Sequence, residues 1–202
     1  MSNSRITLII ALISTLLAAA PVYSQSSADE ILKQAQERAA TIEEYRQLLN
    51  NPDQNVRVAG LDVMLKSDDP AMREIAFSIA FASADDTMRA IALKNKFNYL
   101  KTLNFKLILP EQPTELEKTG IVDTFSKAFT IQLDSYDANT GEFSFRGGNG
   151  QGQVVGIGMD FNDKYFRCNA NLTLGDGPEL VGMLNCSHPK YKGNYKISLR
   201  LQ

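Results

Sequence analysis

Residues 163–186 read DKYFRCNANLTLGDGPELVGMLNC. From Phe166 onward the apolar side chains alternate, with Phe166, Cys168, Ala170, Leu172 and Leu174 on one face. A period of two predicts a half-buried strand over 163–174. Gly175, Gly177 and Pro178 then supply turn chemistry, and ELVGMLNC (179–186) predicts a second strand. If the turn centres on 175–177, Cys168 and Cys186 stand across from each other. They are the chain's two cysteines, so a structural disulfide is expected, closing a loop of about 18 residues. A redox pair would more usually be a tight CxxC.

The same alternation extends outward. KAFTIQL (127–133) puts Phe129, Ile131 and Leu133 on one side. DANTG (137–141) is a turn, and EFSFR (142–146) places Phe143 and Phe145 inward. GGNGQG (147–152) is a second turn region, and QVVGIGMDF (153–161) predicts one further strand. On it Gly152, Val154, Gly156 and Gly158 share one face; Val155, Ile157, Met159 and Phe161 share the other. The glycine face invites close approach by a neighbouring aromatic, or marks a sharp bend. YKISLRL (195–201) is the last strand, and LNFKLIL (103–109) is a candidate first one. Between them PEQPTELEKTG (110–120) reads as a loop or linker with one turn of helix. Short strands with glycine-rich turns predict a small antiparallel β-sandwich or barrel.

Before residue 101 the period changes to three and four. QNVRVAGLDV (54–63), PAMREIAFSI (70–79) and DTMRAIALKN (86–95) align at a spacing of 16. Arg57, Arg73 and Arg89 keep that spacing, and so do Asp53, Asp69 and Asp85. A helix of about 12 residues plus a turn of about four makes one unit. Val56, Ala59, Gly60, Val63 and Met64 fall on one face; Met72, Ile75, Ala76, Ile79 and Ala80 fall on the next. The aspartates are placed as N-caps, with Pro70 at N1 of its helix. Ile31, Ala35, Ala39, Ile42, Tyr45 and Leu49 trace an earlier helix over 28–49, closed by Asn51-Pro52. Each unit has an apolar face it cannot bury alone, so the units must stack. The faces are expected to be buried among themselves or against the β half, or to leave a partner groove.

The stretch 51–98 resembles the helical repeats of the HEAT and armadillo families. That resemblance implies a protein-interaction scaffold. The three arginines carry two readings. They lay their stems along the buried stripe and pair with nearby acids, or they form a basic ladder for an acidic partner.

The fold class is therefore α+β: a helical array of about four helices, then a small β-sandwich or barrel with one disulfide. MSNSR, the apolar ITLIIALISTLLAAA and the small-residue PVYS predict a signal peptide over 1–24. Residues 25–100 form the helical part, 101–124 a first strand and linker, and 125–202 the β domain. Export to the periplasm or secretion follows. No later stretch predicts a stable membrane insertion once the leader is cleaved.

A net charge of −2 gives no basic field, so nucleic acid is not an expected partner. The sequence has no P-loop, G-x-S-x-G or H-E-x-x-H motif. No catalytic residue, cofactor or metal is assigned, and His188 stands alone as the one histidine. Asp137, Asn139 and Glu142 flank one acidic loop, and Asp160, Asn162 and Asp163 another; neither has EF-hand spacing. KYKGNYK (190–196) interleaves lysine with tyrosine. It suits an acidic polymer, a sugar chain or a lipid head group, or it is a solvated loop with Tyr195 packed inside. Asn171-Leu-Thr and Asn185-Cys-Ser match the glycosylation pattern. The candidate binding residues are Lys190, Tyr191, Lys192, Tyr195, Arg57, Arg73 and Arg89. The functional expectation is an exported, non-enzymatic binding protein that engages another envelope protein or a cell-surface polymer. A small secreted hydrolase, or an inhibitor of an envelope enzyme, is the alternative.

Overall fold

The computed structural model describes residues 27–201; the leader expected over 1–24 lies outside them. The chain divides into two units between Ala39 and Ala40, inside the first helix. That helix, α1, runs Ala28–Leu49 as its period required. Of the two alternatives for its stripe, burial holds only for the C-terminal part. Ile31, Ala35 and Ala39 are exposed, Ile42 and Tyr45 half-buried, and Leu49 buried.

Three helices follow: α2 (Gln54–Leu65), α3 (Pro70–Phe81) and α4 (Asp86–Lys96). Each is started by the same local chemistry. Asp53, Asp69 and Asp85 accept from the backbone N–H two residues ahead, at 2.8, 2.9 and 2.9 Å. Just upstream, Asn51, Ser67 and Ser83 each accept from the N–H of the following aspartate at 2.9–3.1 Å. The spacing of 16 is thus a spacing of helix starts, because orphan N–H groups at each start need a side-chain acceptor.

The buried stripe also keeps that spacing, but it is rotated from the one expected. Gly60, Leu61, Met64 and Leu65 are buried in α2; Ala76, Phe77, Ala80 and Phe81 in α3; Ala92, Leu93, Lys96 and the adjacent Phe97 in α4 and the short 3-10 turn beyond it. Val63 is 69% exposed. Small residues at 60, 76 and 92 permit close approach, and a Cβ on Gly60 would strike Leu48.

The second half resolves the sandwich-or-barrel alternative. It is a closed barrel of eight antiparallel strands in chain order. β1 is Thr102–Ile108, β2 Ala128–Tyr136, β3 Glu142–Phe145 and β4 Gly150–Val155. β5 is Gly158–Asp163, β6 Cys168–Leu174, β7 Glu179–Cys186 and β8 Gly193–Arg200. β1 pairs with both β2 and β8 and closes the circuit, so the stretch 101–124 supplies a barrel strand. The remainder forms a short helix, α5 (Glu115–Thr119), and a π-turn over Gly120–Thr124.

The single strand expected over 153–161 is two. Gly156 (φ +56°) and Ile157 form a two-residue hairpin loop between β4 and β5, a place where glycine supplies the positive φ. The inward set therefore switches: Gly150, Gly152 and Val154 on β4 are followed by Met159, Phe161 and Asp163 on β5. The glycine face does admit aromatics. A side chain on Gly150 would strike the Phe145 ring, and one on Gly152 would strike Phe143.

Eight strands enclose a space that side chains can fill. Phe105, Phe129, Phe145 and Phe161 occupy it with centroids 5.3–6.4 Å apart. The disulfide joins Cys168 and Cys186, opposite each other on β6 and β7.

The two ends of the barrel are closed differently. At the end holding the β2–β3 and β6–β7 turns, Arg89 donates to the carbonyls of Leu174 and Gly175, and Lys94 to that of Asn139. Phe97 packs there on Tyr136 and Phe143. At the other end Phe125, after the π-turn, meets Phe129, Phe166, Tyr191 and Tyr195. Fully buried Asp163 sits below this cluster. It accepts from Arg146 Nε at 2.7 Å and from the Phe166 N–H at 3.0 Å. Among the described residues no helix is long and apolar enough to cross a membrane.

Candidate functional site

The register places one row of side chains around the outside of seven strands. Ser135 lies beside Ser144, Ser144 beside Gln151, and Gln151 beside Asn162. The row continues through Asn169, Asn185 and Asn194. Every member carries an amide or a hydroxyl and none carries a formal charge. All are exposed except half-buried Ser144. Adjacent strands set such side chains about 4.8 Å apart. A water-facing strand is polar as a rule; what distinguishes this belt is the absence of charge over seven strands in a chain that is 22% charged. Its polarity is the reverse of the apolar outer band of a membrane-spanning barrel.

The belt is partly self-paired. The Ser135 and Ser144 hydroxyls lie 2.7 Å apart, and Asn185 Nδ2 donates to Asn169 Oδ1 at 3.4 Å. Among the described residues, no partner stands against the side chains of Gln151, Asn162 or Asn194. Such amides each keep two donors and an acceptor for a ligand. At the β8 end, the Asn194 N–H donates to Glu117 Oε1, and the Thr114 N–H donates to Glu117 Oε2. The Thr114 N–H is the main cause holding the Glu117 carboxyl below its usual range.

At its β2–β5 end the belt enters a groove of about 540 Å³. The groove adds Asp137, Glu142, Gln153 and Asp160, with no cation in its lining. The two acidic loops singled out in the sequence thus converge here through Asp137, Glu142, Asp160 and Asn162. Asp163 does not join them, because Arg146 holds it inside the barrel. Among the described residues, no group of three or more His, Cys, Asp or Glu side chains is placed to hold a metal. Tyr136 lines the groove and donates to the Lys94 carbonyl at 2.7 Å. Burial, helped by Asp137, pushes its pKa up to about 12, so it is a neutral phenol here.

The residues proposed from sequence are scattered. Tyr195 is fully buried and donates to the Tyr191 carbonyl at 2.8 Å; burial pushes its pKa up to about 12. Tyr191 is buried too, donates to the Phe166 carbonyl, and stacks on His188 at 4.5 Å. Neither ring can be offered to a partner, because the barrel end needs both for packing. Lys190 and Lys192 remain exposed on their loop. His188 Nδ1 accepts from the Lys190 N–H.

The arginines do not form a free ladder. Arg57 pairs with Asp85 at 2.7 Å and donates to the Asn51 and Pro52 carbonyls. Arg73 donates to the Ser67 carbonyl and lies over Tyr99. Arg89 pairs with Asp86 at 3.1 Å besides its barrel carbonyls. Arg57 and Arg89 pair with acids, the pairing the packing alternative described, whereas Arg73 holds a carbonyl and a ring. Asn171 and Asn185 are exposed on the outer face.

Sequence reading missed the belt. Alternation alone marked Asn169 and Asn171 as outward, but lateral alignment requires the register of seven strands. Compared with known proteins, the chain matches no family model, no curated protein and no solved structure.

Proposed function

We propose that this is an exported, non-enzymatic binding protein whose ligand is a neutral, hydroxyl-rich cell-surface polymer lying along the amide belt. The observation that carries this reading is the uncharged row from Ser135 to Asn194. Amides donate and accept at once, which suits sugar hydroxyls that do the same. A row crossing the strands presents many weak contacts to one long chain, and repetition raises avidity. Asp137, Glu142 and Asp160 at the groove disfavour an anionic polymer by like-charge repulsion. The leader-like N-terminus and the disulfide support export to the periplasm or beyond.

Affinity electrophoresis through gels loaded with dextran, mannan or alginate tests the reading. Retardation by a neutral polymer is expected, with none by anionic alginate. Combined Gln151→Ala, Asn162→Ala and Asn194→Ala should abolish it, whereas Lys190→Glu with Lys192→Glu should leave it intact. Retardation that survives the triple change would remove the belt from the proposal.

A further inference from the structure

Lys96 breaks the pattern of the helical array. The third place of the buried stripe is Met64 in α2 and Ala80 in α3, but α4 puts a lysine there. Its residue exposure is 9%. So deep a lysine needs a partner for its ammonium, and the one it has is loosely held. Its Nζ lies 3.4 Å from Glu74 Oε1, long for a charge-assisted bond, and 4.7 Å from the centre of the Phe77 ring. The Glu74 side chain is 69% exposed, so water competes for that carboxylate.

Lys96 also lines a cavity of about 280 Å³ where α3 meets the β6–β7 turn. Phe77, Phe81, Ala82, Pro178 and Leu201 supply apolar walls, and Lys96 and Glu74 are its charged groups. A small concave, mostly apolar space with a few placed polar groups is the usual form of a small-molecule site.

We propose that this cavity binds a small monocarboxylate with an apolar tail. The ligand carboxylate takes the place of Glu74 on Lys96, and the tail lies against Phe77 and Phe81. No covalent step is involved, and the site is separate from the amide belt. Glu74 acts as a weak internal competitor.

The test is an NMR titration of the disulfide-bonded full chain with octanoate, and with octanol as the uncharged control. Saturable shifts are expected at Ser78, Ala82 and Lys96, with octanol binding at least about tenfold more weakly. Glu74→Gln should tighten octanoate about threefold by removing the competitor. Lys96→Met, which restores the residue type of α2, should weaken it about tenfold or more. No saturable shift, equal affinity for octanol, or unchanged binding in Lys96→Met would each overturn the proposal. Should Lys96→Met fail to fold, the octanol ratio and the Glu74→Gln gain decide it, since Glu74 is exposed and its amide keeps the shape.

Discussion

The helix starts of the array are set mainly by local contacts, the barrel by distant ones. In the array each helix start is fixed within a few residues: Asp69 caps Ala71, Ser67 holds Asp69, and Arg73 reaches back to Ser67. In the barrel the holding contacts join distant residues. Arg146 meets Asp163, Phe105 meets Phe161, and β1 meets β8. Local caps can be lost singly and cheaply. A closed circuit of strands has no spare edge, so one failure spreads. The candidate polymer site belongs to the second kind, because its row exists only when seven strands keep register.

The largest expected effect breaks the barrel side of that contrast. Arg146→Met leaves Asp163 buried without its cation and should lower stability by about 3–5 kcal/mol in urea unfolding. Next, replacing both cysteines by alanine should cost about 3 kcal/mol, judged from the 18-residue separation. A loss under about 1 kcal/mol would mean that the neighbouring strands already hold the hairpin in the unfolded ensemble.

The array should respond less. Asp85→Ala removes a cap and the partner of Arg57, for about 1–2 kcal/mol, and Asp69→Ala about 1 kcal/mol. Arg57, above all, holds the Asp85 carboxyl below its usual range. Its contribution is therefore complete above the unfolded value near pH 4 and fades as pH falls through the lower folded value. Acid titration of Asp85→Asn should show a flatter stability curve in that window. The two tyrosines pushed up to about 12 act in the other direction. An unfolded tyrosine ionises near 10, so stability should fall as pH rises from about 10 to 12. Ultraviolet difference absorbance should show Tyr136 and Tyr195 ionising last. The smallest stability change belongs to the belt: Gln151→Ala or Asn162→Ala should shift it by no more than about 0.5 kcal/mol.

The same contrast explains what was legible in the sequence. The helix starts were, because a cap is written in the residues that make it: Asp53, Asp69 and Asp85. The facing cysteines were, because one short turn sets their register. The hairpin at Gly156-Ile157 was not, because Val155 and Ile157 continue the alternation through the turn and hide it. Missing that turn hid the switch of inward face, and with it the lateral alignment of Gln151 with Asn162. The helical stripe was misplaced by about one residue because apolar residues run on both sides of it: Ala59 and Val63 extend the period as well as Leu61 and Leu65, which are the ones buried. Tyr191 and Tyr195 looked available because the mixed Lys/Tyr loop does not state which tyrosines point inward; the Phe125 cluster decides that.

Side-chain amide resonances offer the most direct test of the belt. The NH₂ signals of Gln151, Asn162, Asn169, Asn185 and Asn194 can be followed while a neutral oligosaccharide, cut from the polymer that retards the chain in a gel, is added. The account expects these five to shift together and saturate at one concentration, with the 187–192 loop unmoved. Shifts confined to that loop, or amides that stay still while the sugar binds elsewhere, would contradict it.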